Sequence, residues 1–399
     1  MLDFITAKGK GLTLANIYEN AKNENVVLRY TNVSEAEFEE YYHSLSCDFT
    51  VYDEKTVVGN RFATLLTDTN ELHICFYPAI SEMRVIYGAR GWLPPKTTPA
   101  NVGNELLTVT QMGLIVNSGE SIVVTLSDGR FLLIDGGKEA NDEHQDRKNL
   151  FHFLWEHKPA HHEKPKIAAW LISHAHTDHI NLCQEFLKEY GDRVELELFG
   201  YNFPDFETDV VAAAEAAKDL HWQITTKELL DARFPNTTRY TMHTGQSLLL
   251  PGCEVEILLT WEDFWPQEMP SANHTSFVIR LKFDTGKTVM LPCDAWKPTT
   301  ALAVSVWGDY LKSDVMQVVH HGLSGGNIAF YEKVAPEILL WPTPEIRFVS
   351  PEPYINEEGS KKAVARQFEP SRWLIEHFDR HYHHGKTVTL DMRDLSELQ

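Results

Sequence analysis

Cysteine is sparse in this chain. Cys47, Cys75, Cys183, Cys253 and Cys293 are scattered, odd in number and never spaced as Cys-x-x-Cys. That pattern argues against a disulfide framework and against a thiolate zinc knuckle. Long hydrophobic runs are missing as well. No apolar stretch approaches the ~20 residues that span a bilayer, and residues 1–8 have neither the basic start nor the long apolar core of a signal peptide. A cytoplasmic protein with no membrane partner is expected. Positive charge is in short supply: 36 Lys and Arg stand against 57 Asp and Glu, a net charge of −21. The basic residues are dispersed, whereas a grip on long DNA or RNA needs a basic face. A small-molecule substrate, with small anions among the candidates, is expected instead. There is no internal repeat and no low-complexity segment.

What is present is an ordinary globular composition over 399 residues, enough for two or three domains. Residues 1–92 read as a small α+β domain. They hold a β-branched run at 26–30, a capping box at Ser34 and Glu37 leading a helix to Leu45, and strand-like runs at 49–52, 61–66, 72–77 and 84–87. Its role is open, a dimer interface (hence a homodimer) or a substrate lid being the candidates. His43 and His73 read as ordinary surface or core residues. Residues 93–104 are a Pro-rich linker. Residues 105–399 form the larger domain, with a strand at 106–112, a hairpin of 121–126 and 130–134, a helix at 149–157, and alternating strand and helix patterns from 167 onward.

The densest chemical signal is His174, His176, Asp178 and His179, a His-x-His-x-Asp-His run between an apolar stretch at 167–172 and an amphipathic one at 180–190. That places the run on a strand-to-helix loop. Imidazole and carboxylate are ligands for zinc, manganese or iron. One loop rarely completes a metal site. Asp294 ends the strand-like run 287–294, and His320 and His321 follow another at 315–319. All these residues share one placement, the carboxyl end of an apolar strand, where ligands of α/β sheets gather.

With Asp135 closing Leu-Leu-Ile-Asp-Gly-Gly, these motifs resemble the metallo-β-lactamase fold superfamily. More narrowly, Asn273-His-Thr-Ser276, the strand ending in Asp294 and Val-Val-His320-His321-Gly322 resemble the hydrolase domain of the competence (DNA-uptake) channel proteins and their stand-alone relatives. The resemblance covers about residues 105–395. It implies an α/β fold, a four-layer αβ/βα sandwich. It also implies two divalent metal ions, zinc first and manganese or iron as alternatives. His174 and His176 would hold the first, Asp178, His179 and His320 the second, and Asp294 would bridge them. Asp135, Asn273 and Ser276 would support the ligands from behind. The implied activity is a metal-dependent hydrolase using a metal-bridging hydroxide, with a small-molecule phosphodiester favoured over thioester, lactone or amide. A single-strand nuclease or a binding module with a structural metal are the alternatives. Asp178 and His321 are the catalytic candidates; His321 is a substrate-oxygen ligand or proton donor in one reading and a local packing residue in the other.

Two positions depart from the superfamily pattern. The usual third histidine of the first metal has only His274 as a candidate, and Cys293 stands where glycine usually precedes the bridging carboxylate. Cys293 either crowds the site or serves as a small buried hydrophobe. Outside the motif, the His161–His162 pair and His381, His383 and His384 read as surface. Trp261, Phe264 and Trp265 read as an aromatic loop cluster that packs in the core or lines a pocket.

Overall fold

A computed structural model describes residues 2–20, 25–97, 105–114, 119–139, 145–206, 213–355 and 359–398. The second part of the expected linker, 98–104, lies outside the described residues. Six antiparallel strands form the first sheet, in the spatial order Thr13–Asn20, Asn25–Thr31, Glu82–Ala89, Asn70–Tyr77, Asn60–Leu66 and Thr50–Val57. Successive side chains alternate between its faces. Leu28, Tyr30, Leu72, Ile74 and Phe76 cluster with Phe38, Tyr41 and Leu45 of helix Glu35–Ser46. That helix begins with the Ser34–Glu37 capping box. The opposite face carries Phe62, Cys75, Tyr77 and Ile86, which join Trp261, Phe264 and Trp307 of the larger part of the chain. Phe62 stacks on Trp307 with ring centroids 5.5 Å apart, and the Asn60 amide donates to the Val306 carbonyl at 2.6 Å. The edge strand Thr13–Asn20 and the opening helix Leu2–Lys8 give no clear signal in sequence, since few of their side chains are buried.

Two further sheets lie face to face. One runs Thr238–Thr241, Leu198–Tyr201, Lys166–Leu171, Phe131–Ile134, Ile122–Thr125, Thr108–Gln111, Val388–Asp391 and Glu397–Leu398, with Glu195–Leu196 beside Lys166–Leu171. The other runs Ser247–Leu250, Cys253–Leu259, Val278–Phe283, Thr288–Leu291, Val315–Gln317, Ile338–Trp341 and His381–His383. Strand alternation builds the layers. Leu132, Ile134 and Leu171 meet Val255, Val289 and Leu291 between the sheets. Their neighbours Phe131, Leu133 and Trp170 turn outward onto helices Asp146–His157 and Thr177–Tyr190. On the other side Met290, Met316 and Leu339 turn onto helices Lys297–Trp307, Ile328–Val334 and Glu369–His377. Helix, sheet, sheet, helix is the four-layer αβ/βα sandwich expected of a metallo-β-lactamase-like chain.

Each sheet has a parallel part. Phe131–Ile134, Lys166–Leu171 and Leu198–Tyr201 run together, as do Thr288–Leu291, Val315–Gln317 and Ile338–Trp341. Their carboxyl ends therefore share one edge. One expectation needs correction. Of the three histidines read as surface, His381 and His383 lie on a parallel strand beside Ile338–Trp341 and are half-buried, and His384 is fully buried, with Nδ1 3.2 Å from the Leu114 carbonyl oxygen. Trp261–Phe264 forms a helical turn whose aromatic rings are buried, the packing alternative of the two. No helix among the described residues is long and apolar enough to cross a membrane.

Candidate metal centre

Four strand ends deliver the side chains. Asp135 follows Phe131–Ile134. His174 and His176 follow Lys166–Leu171, with Asp178 and His179 in the first turn of helix Thr177–Tyr190. Asp294 follows Thr288–Leu291, and His320 and His321 follow Val315–Gln317. Asp135, Cys293, His320 and His321 all have left-handed backbone, with φ between +49° and +58°. Such residues cost roughly 1–2 kcal/mol each and gather where a loop must aim side chains into a site. The left-handed turn at Cys293 is the conformation glycine adopts freely, which accounts for glycine being the usual residue there. The Cys293 side chain is buried, with Sγ 3.7 Å from Glu120 Oε1.

Five imidazoles obey one rule: an outer partner holds one ring nitrogen and the other turns inward. Asp135 Oδ2 lies 2.6 Å from His179 Nδ1. The hydroxyls of Ser173 and Ser276 each lie 3.0 Å from His174 Nδ1. Ser324 Oγ lies 3.2 Å from His320 Nδ1, and the Pro342 carbonyl 3.0 Å from His321 Nδ1. His176 presents Nε2 to Asp219 at 3.2 Å and Nδ1 to His174 Nε2 at 3.1 Å. Asp135 is itself fixed, accepting from the Ser173 amide at 2.7 Å and hydroxyl at 2.6 Å. Outer partners of this kind orient the ligands of metal sites.

The inward atoms surround Asp294. Its Oδ2 lies 3.3 Å from His179 Nε2, 3.7 Å from His320 Nε2 and 3.9 Å from His174 Nε2; its Oδ1 lies 3.3 Å from His321 Nε2. Asp178 Oδ2 is also 3.3 Å from His321 Nε2. The geometry differs from the expected grouping. His321, left without a metal in sequence, clusters with Asp178 and His179. His320 instead turns to Asn273, whose Nδ2 is 3.1 Å from His320 Nε2 and whose Oδ1 is 3.0 Å from His174 Nε2. His274 stands outside the converging set among the described residues; its Nδ1 lies 3.1 Å from the Ser271 carbonyl oxygen and its ring packs by Trp296.

Electrostatics fit a cation at this place. His179 Nε2, His321 Nε2, Asp294 Oδ1 and Glu120 Oε2 are buried without a hydrogen-bond partner. His179, His321 and Asp294 meet as ion pairs at 3.3 Å without aligned hydrogen bonds, and a divalent ion is the ligand that satisfies lone pairs of nitrogen and oxygen together. The donors include no thiolate, which suits zinc, manganese or iron. Burial disfavours charge on His321, but Asp294 and Asp178 outweigh it and raise its pKa to about 10. Burial is likewise outweighed at Asp294, which His321 and His179 hold well below the usual carboxylate range. Burial, with His179 and His176 nearby, pushes His174 down and keeps it neutral.

Two buried carboxylates escape the motif reading. Glu120, just ahead of strand Ile122–Thr125, is raised to about 8 by burial and then by Asp135. Nothing in its local sequence marks it. Asp219 lies in helix Ala213–Arg233, where Ala216, Asp219, Thr226 and Leu230 are buried. That helical spacing, with a carboxylate on the packed face, is the signal that finds it. A cavity of about 320 Å³ adjoins the cluster, lined by Lys138, His176, Thr177, Asp178, Lys218, Asp219 and Arg347. Three cations share this cavity with the carboxylates of Asp178 and Asp219.

No known family profile and no curated protein matches the chain. Among solved structures, it is similar to the metallo-β-lactamase fold protein YhfI from Bacillus subtilis, at 14% identity over 71% of this chain and 100% of that one, with a TM-score of 0.39. It is also similar to human tRNase Z, short form, at 14% identity over 58% of this chain and 90% of that one, with a TM-score of 0.33.

Two measurements probe the supports of the cluster. A Cβ on Gly136 would lie 2.6 Å from Cys183 N and 2.8 Å from Cys183 Cβ, where the loop docks on helix Thr177–Tyr190. Gly136→Ala is expected to destabilise the protein by ~1–3 kcal/mol in urea denaturation; an unchanged midpoint would show that this contact yields freely. In metal-free protein the folded state holds the Glu120 proton up to about pH 8, whereas the unfolded chain releases it at the ordinary value of 4.5. Folded protein therefore binds the extra proton between those values, and stability falls as pH rises through them. Glu120→Gln should gain on the parent across that window; a pH-independent difference would count against a proton on Glu120.

Proposed function

We propose that the chain is a binuclear metallohydrolase of small anionic substrates, most plausibly a phosphodiesterase. The observation that carries this reading is the inward turn of four imidazoles, His174, His179, His320 and His321, onto Asp294 and Asp178, with His176 beside His174 and a cavity bearing three cations alongside. His174, His176 and His320 with Asp294 would hold one divalent ion, and Asp178, His179 and His321 with Asp294 the other. In this scheme His320 takes the place of the absent third histidine, and His321 serves as a ligand. Ions held there would supply a water of lowered pKa and polarise the substrate oxygen.

The remaining work falls to this chain's own side chains. Lys138, Lys218 and Arg347 bind the non-reacting anionic oxygens and fix the substrate over Asp178. Ser173, Ser276, Asp135 and Asp219 keep the rings in place, so positioning costs nothing further when substrate arrives.

Elemental analysis should find at least two divalent ions per chain, and a chromogenic phosphodiester should turn over with zinc or manganese. Asp178→Ala should abolish that turnover with an unchanged circular dichroism spectrum; normal turnover in this variant would refute the mechanism. Lys218→Ala and Arg347→Ala should each raise KM for the phosphodiester several-fold and leave a neutral lactone or ester unaffected. Equal effects on both would remove the case for an anionic substrate. Digestion of single-stranded DNA at physiological salt would favour the nuclease reading instead.

A further inference from the structure

A second buried cluster of metal-ligating side chains lies where the six-stranded sheet packs on the sandwich. It shares no residue with the centre around Asp294. Glu71 and His73 are two apart on strand Asn70–Tyr77, so both point to the sandwich side together with Cys75 and Tyr77. His243 meets them from the chain just after strand Thr238–Thr241. One ligand atom from each of Glu71, His73 and His243 lies within 4.8 Å of the other two. The His73 and His243 rings stack with centroids 4.0 Å apart. All three residues are buried, at 6%, 2% and 4% exposure.

Every member has an outer partner that leaves one donor atom for the centre. Glu262 Oε2 accepts a hydrogen bond from His243 Nδ1 at 2.9 Å, leaving Nε2. Thr64 Oγ1 lies 3.0 Å from His73 Nδ1, and His73 Nε2 is buried with no hydrogen-bond partner. The Gly91 amide donates to Glu71 Oε2 at 3.1 Å, while Oε1 lies 3.5 Å from His73 Nε2. A carboxylate behind one imidazole and a hydroxyl behind the other is the arrangement that orients histidines for metal. A cavity of about 290 Å³ opens on the cluster, with Glu71, His73 and His243 in its wall. Two histidines and one glutamate facing open space match a metal site with a vacant coordination position.

We infer that Glu71, His73 and His243 form a separate mononuclear site for a divalent ion of the zinc type, clasping the N-terminal sheet to the sandwich. The ordinary alternative is a polar cluster that hydrogen bonds satisfy on their own. Against it, the buried Nε2 of His73 meets only the Glu71 carboxylate, at 3.5 Å and without an aligned hydrogen bond. An ion bound only by the docked arrangement stabilises that arrangement through linkage.

The deciding experiment is anomalous diffraction at the zinc edge from crystals of the unsubstituted chain grown with zinc chloride. A peak bounded by Glu71, His73 and His243 is expected. Peaks at the Asp294 centre without one here would overturn the inference. In solution, the full chain carrying His174→Ala and Asp294→Ala should retain one zinc per chain, and adding His243→Gln should remove it. Zinc should also raise the melting temperature of the chain with His243 and not of the His243→Gln variant. Zinc retention or a melting shift that survives His243→Gln would overturn the inference as well. In the unsubstituted chain, a zinc peak here with none at the Asp294 centre would count against the hydrolase reading alone.

Discussion

The mutual repulsion of buried carboxylates is the constraint from which the rest of the larger sandwich follows. Asp135, Asp294, Glu120 and Asp219 are nearly devoid of solvent contact, and Asp178 stands at the edge of the same space. At low dielectric such a set cannot all ionise without compensation. Without an ion the chain offsets part of the charge internally: Glu120 keeps its proton, and His179 and His321 are held protonated by the carboxylates they face. That compensation is costly, because the same rings then point N–H groups at one another across Asp294. On the proposed reading, divalent cations would replace protons here with charges of the same sign.

Holding the donors against this repulsion explains several local features. Parallel strands bring four loop-bearing ends to one edge, so no long loop has to reach the site. Left-handed turns at Asp135, Cys293, His320 and His321 fold the side chains back over the sheet edge. Gly136 lets the Asp135 loop lie against the helix that starts with Asp178 and His179, where its amide donates to the His179 carbonyl at 2.7 Å. The strain is local and the hydrophobic layers on both sides of each sheet are extensive. Dispersed packing thus supports a few expensive residues.

The sequence reveals those parts of this arrangement that are local. His174, His176, Asp178 and His179 are close along the chain, and their spacing is the signal. Asp135, Asp294 and the His320–His321 pair can be found because each ends an apolar run, a rule about strand ends. Which of His320 and His321 faces Asp178 cannot be read this way, since it depends on two consecutive left-handed residues. Glu120 is invisible for a different reason: its neighbours in space are more than ten positions away in the chain. His73 is a milder case. Strand alternation puts Glu71, His73, Cys75 and Tyr77 on one face, but only the docking of that face onto His243 and Glu262 turns an ordinary buried histidine into part of a cluster. The sheets, the capping-box helix and the layer order are legible because periodicity encodes them, whereas the docking of one unit on another is a property of surfaces.

Charge also connects the scale of the whole chain to that of the cavity. A net charge of −21 acts over the entire surface, and at physiological ionic strength it is felt within about 8 Å. Lys138, Lys218 and Arg347 act over the width of one cavity. The same cavity carries Asp178 and Asp219, so on the proposed reading a small anion would be held there by the three cations once metal ions neutralise the carboxylates. A long polyanion must lay most of its phosphates against acidic surface, and each such contact opposes binding. On the proposed reading, the same charge distribution would favour short anions over long ones.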